Sequence, residues 1–115
     1  VDWINPQTQY LGIDIDVDVV LKARELHPHH HFIATDALAP ADYMIAIAVL
    51  TDFHSPPDDL LRMMWRLARV AVGITGDSST VPMETMRQWW DGIGEPDVKE
   101  HEGDWPPFWT AVLRR

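Results

Sequence analysis

With 115 residues, 46% of them hydrophobic and 23% charged, the chain is one domain at most, and its apolar content argues against intrinsic disorder despite nine prolines. Eighteen Asp and Glu against nine Lys and Arg leave a net charge of -9, a field that repels a phosphate backbone, so no nucleic acid is expected as primary partner. Cysteine is absent, which removes disulfides, thiolate metal sites and a cysteine nucleophile.

No stretch approaches the roughly 18 consecutive apolar residues of a membrane span, so a soluble domain with no membrane partner is expected, cytoplasmic by default. The chain opens Val1-Asp2-Trp3, with neither an initiator methionine nor a basic-then-apolar leader, and reads as the interior of a longer protein.

Tyr10 to Ile15 reads as a buried strand rich in branched residues. Asp16 then offers an N-cap oxygen to a helix over about Val17 to Leu26. Val19, Ala23 and Leu26 fall on one stripe of it, and His27-Pro28 stops it. Phe32 to Thr35 is a short second strand. Tyr43 to Leu50 is a longer third one, apolar throughout, which predicts burial on both faces as in a parallel sheet.

Ser55-Pro56-Pro57-Asp58 combines an N-cap serine, prolines in the first turn and a carboxylate at capping-box spacing. The helix it starts should run to about Arg69, with Leu61, Trp65 and Ala68 beside Leu60, Met64 and Leu67 on its apolar side. Val70 to Thr75 is the fourth strand. A helix over about Val81 to Gly92 follows, lining up Met83, Met86, Trp90 and Ile93, with Gly92 and Gly94 at its end. Val98 to Glu102 and Phe108 to Leu113, joined through Gly103-Asp104 and Pro106-Pro107, form a closing antiparallel pair.

Strands alternating with helices and ending in a hairpin specify an α/β fold, an open sheet with helices on both faces. Tyr10 to Asp16, Phe32 to Leu38, Ala41 to Asp52, and Leu67 to Thr75 with the hairpin occur in an order and spacing that resembles a class I S-adenosylmethionine-dependent methyltransferase domain, entered at its second strand. The resemblance covers nearly the whole chain as one partial domain, residues 1–115. It implies a Rossmann-like sheet whose first strand and glycine-rich cofactor loop are not in this sequence. In a dinucleotide-type fold the ribose-gripping acid lies about 20 residues beyond that loop. Counted back from Asp14, that position falls before Val1.

The resemblance also implies S-adenosylmethionine as cofactor and assigns site residues. Asp14, at the carboxyl end of the first visible strand, would accept the ribose hydroxyl protons, and Ile15 would pack on the adenine; alternatively Asp14 only caps the loop with Asp16. Asp36 would accept the adenine amino proton and the Ala37 backbone N–H would reach a ring nitrogen, unless Asp36 is simply a turn aspartate. Ile47 and Ala48 would line the methionine end of the cofactor. Asp52 and His54 follow as acid or base near the methyl acceptor, or as solvated loop positions. No Asn-Pro-Pro-Tyr-type tetrapeptide is present to hold a flipped base, so base methylation loses support.

In the family, the strand that carries the glycine loop lies between the first and third strands visible here. Its absence would expose two apolar edges. A missing N-terminal segment or another chain is therefore expected to complete the sheet, possibly as a homo-oligomer, unless the fold is rearranged. His27, His29, His30 and His31 crowd one connection, but adjacent histidines diverge and no fixed carboxylate completes a shell, so no metal is expected. Met63, Met64, Trp65, Trp89 and Trp90 read as packing residues.

Two functions stay open. One is transfer of the methyl group of S-adenosylmethionine to a small-molecule substrate, where the protein's task is alignment and water exclusion, and no catalytic residue can be named. The other is a degenerate, non-enzymatic methyltransferase-like module within an assembly.

Overall fold

A computed structural model of the protein describes residues 8–35, 37–47, 56–103 and 107–115, which divide into two compact units, one ending at Ala37 and the other starting at Leu38. In the first unit, β1 (Leu11–Asp14) pairs in parallel with β2 (His31–Ala34), and α1 (Val17–Leu26) makes the crossover between them. Leu11 stands opposite His31 and Asp14 opposite Ala34; the Thr35 N–H donates to the Asp14 carbonyl at 2.9 Å, extending the ladder by one bond.

Asp16 begins α1 as the sequence implies. Its Oδ1 accepts the N–H groups of Asp18 (2.9 Å) and Val19 (3.4 Å), two of the donors that a helix start leaves orphaned. The expected apolar stripe is displaced by one residue: Val20 is buried, while Val19 and Leu26 are exposed. One turn on from Val20, the Arg24 guanidinium donates through Nε (3.1 Å) and Nη2 (2.8 Å) to the Phe32 carbonyl and ties that side of the helix to β2.

The second unit is a four-stranded sheet in the order β3-β4-β6-β5. Strands β3 (Ala41–Ile47) and β4 (Ala68–Asp77) are parallel, joined through α2 (Pro57–Leu67); α3 (Met83–Trp89) then leads to β5 (Asp97–His101) and β6 (Phe108–Arg114). β6 returns between β4 and β5 and is antiparallel to both, so the closing hairpin of the sequence reading is present. The helices end earlier than expected. α2 gives way to β4 at Ala68, and α3 begins two residues later than anticipated, behind Pro82. Ser55, the anticipated cap of α2, lies outside the described residues, and Asp58 instead faces Arg62 at 3.4 Å along the helix.

Leu61, Val72, Ile74, Met86 and Trp109 form the center of this unit's core, each under 2% exposed. Burying side chains of this size stabilizes a fold by about 1.5–3 kcal/mol each. The indole N–H of Trp109 donates to the Val81 carbonyl at 2.9 Å, which ties the β4–α3 connection to β6. Gly76 makes that seat possible, since a Cβ there would overlap the Trp109 ring. Met64 and Trp90 pack in the core and Trp89 stands edge-on to Trp109, as packing residues should, but Met63 is exposed. Trp65 carries the Arg115 guanidinium 4.0 Å over its ring, a cation–π contact. Past α3 the chain turns at Gly92, whose φ of 78° favors glycine.

The apolar run through β3 implies burial on both faces, yet Tyr43, Ile45 and Ile47 are 62%, 60% and 57% exposed, while Ala46 on the other face is buried. Successive strand residues point to opposite faces. The helices α2 and α3 pack against one face only, and the row of alternate residues on the other has no cover among the described residues.

Candidate functional site

The carboxyl ends of parallel strands form the crest of an α/β sheet, where ligands bind. In the first unit the crest is the turn after β1. Asp14 closes the strand, and its Oδ1 accepts the Asp16 N–H at 2.8 Å, while Asp16 in turn caps α1. The Asp14 carboxylate is thus held by the loop. A carboxylate offers two oxygens and about four acceptor positions. Engagement of Oδ1 by one backbone N–H leaves room for a ligand's hydroxyl groups. Ile15 follows at 36% exposure, an apolar side chain partly presented to solvent.

Ala37 stands on the connection after β2, exposed, with its backbone N–H donating to the Thr35 side-chain oxygen at 3.0 Å. To meet a ring nitrogen that N–H would have to exchange one partner for another, which costs little where both states are hydrogen-bonded. Within the first unit, the Thr35 N–H bond to the Asp14 carbonyl sets the start of that connection beside the end of β1. Asp36 lies outside the described residues, as do Ala48, Asp52 and His54. Ile47 belongs to the second unit, where it ends β3 opposite Thr75 and is mostly exposed.

The crest of the second unit carries a residue that the sequence reading did not single out. Asp77 ends β4, and its Oδ1 accepts both the Ser79 hydroxyl (2.6 Å) and the Ser79 N–H (2.8 Å). The Ser79 hydroxyl bond, with the backbone bond beside it, holds the Asp77 carboxyl below the usual carboxylate range. A Ser78 N–H to Pro107 carbonyl bond of 3.1 Å fastens the same turn to the start of β6. The signal was available as Asp-Ser-Ser-Thr directly after an apolar strand, a sequence that favors a side-chain-braced turn. The histidine-rich connection contributes ring contacts instead: His30 stands edge-on to Tyr10 and His27 lies near Phe32. Among the described residues no three His, Asp or Glu side chains gather as a metal site.

No protein-family model and no curated protein matches the sequence. Solved structures do match the fold. Magnesium protoporphyrin IX methyltransferase from Synechocystis PCC 6803, crystallized with bound SAM, superposes with a TM-score of 0.67 at 16% identity, over 91% of this chain and 58% of its own. A Thermoplasma acidophilum protein matches at a TM-score of 0.65 and 12% identity, over 91% of this chain and 65% of its own.

The chain has a class I methyltransferase fold.

A protein described as an rRNA methylase, from Clostridium thermocellum, matches more loosely, with a TM-score of 0.59 at 12% identity over 91% of this chain and 74% of its own. The chain therefore spans less than two thirds of the first two structures it matches. β1 belongs to one sheet and β3 to another. Here each is an end strand of its own sheet among the described residues.

Proposed function

We propose that these residues are the later part of a domain that binds S-adenosylmethionine and transfers its methyl group to a small-molecule acceptor, the domain being completed by a further segment or another chain. The observation that carries this reading is the crest of β1: a parallel strand ending in a carboxylate, followed at once by an exposed apolar residue and a capped helix, within a methyltransferase fold. Asp14 would hold the ribose hydroxyls, Ile15 and Ala37 the adenine, and Asp36 its amino group. Ile47 and Ala48 would border the methionine end.

Methyl transfer from a sulfonium is an in-line displacement whose leaving group departs neutral. The protein's work is to align the acceptor about 3–3.5 Å from the methyl carbon and to keep water out. A small acceptor is favored over RNA by the net charge of -9, although one structural neighbor is described as an rRNA methylase. The non-enzymatic alternative draws on one specific observation, that the Asp14 carboxylate already braces its own loop.

Incubating the natural polypeptide that contains these residues with methyl-labelled S-adenosylmethionine, in the presence of either a low-mass metabolite extract or total RNA, tests the proposal. Label should enter the low-mass fraction. Label in RNA would overturn the acceptor class. Failure to bind S-adenosylhomocysteine would overturn the cofactor assignment and favor the non-enzymatic module.

A further inference from the structure

We draw no further inference here: the strongest candidate, the exposed apolar face of the second unit's sheet, where Tyr43, Ile45 and Val112 border a shallow groove of about 280 Å3 beside Gly73, carries none because nothing in the structure shows what covers it.

Discussion

Replacing Asp14 separates its two roles. Its Oδ1 accepts the Asp16 N–H at 2.8 Å in an exposed turn, so Asp14→Ala removes one neutral-donor bond. The expected loss of stability is about 0.5–1.5 kcal/mol, toward the low end because water replaces the partner. Cofactor binding should fall further. Hydrogen bonds from ribose hydroxyls to a charged carboxylate contribute about 1.5–3 kcal/mol, which is a loss of roughly 10- to 150-fold in affinity. Asp14→Asn keeps an oxygen for the Asp16 N–H and removes only the charge. It should melt like the wild type while binding S-adenosylhomocysteine more weakly. Urea denaturation gives the stability change, and calorimetric titration on the natural polypeptide gives the affinity change. An Asp14→Ala protein that loses stability yet binds with wild-type affinity would refute the ribose assignment and leave Asp14 as a loop brace.

Other outcomes follow from the second unit. The 115 residues expressed alone should self-associate, because β3 is an end strand with Tyr43, Ile45 and Ile47 exposed and no charge between Tyr43 and Ile47. Ile45→Lys should shift them toward monomer in sedimentation velocity, and a wild-type chain that stays monomeric at high concentration would contradict this. The Asp77 carboxyl, followed by carbon-detected NMR, should titrate below an ordinary aspartate, and Ser79→Ala should raise its midpoint. Because the folded-state value is depressed, any stability Asp77 contributes is present above the unfolded pKa and lost as pH falls through the folded one. An unchanged midpoint in Ser79→Ala would remove the hydroxyl bond as the cause.

Local chemistry made the element order readable. Asp16 as a cap, His27-Pro28 as a stop, the apolar run from Tyr43 and the helix start at Pro56-Pro57 each act within a few residues of themselves, and the helices and strands formed where they point. The alternating face of β3 was not readable in the same way. An apolar run specifies a strand, but whether both its faces are buried depends on which elements lie over the sheet, and the Arg24 bond to a carbonyl eight residues away, on the side of α1 that carries Val20, is a contact the apolar stripe does not reveal. The site was legible to the same extent. Asp14 and Ile15 sit on a crest because a parallel strand ends there. By contrast, the engagement of the Ala37 N–H by Thr35 and the bracing of Asp77 by Ser79 are side-chain choices that residue spacing alone does not dictate.

If the turn after β1 is part of a nucleoside site, its amides must respond to a nucleoside ligand. Amide-resolved NMR of the natural polypeptide, recorded while S-adenosylhomocysteine is titrated, reads that response residue by residue. Saturable shifts should be concentrated at Ile15, Asp16 and Ala37, with Ala37 changing most as its N–H leaves the Thr35 oxygen. Amides in that turn that stay fixed at saturating ligand, whether the ligand binds elsewhere or not at all, would contradict it.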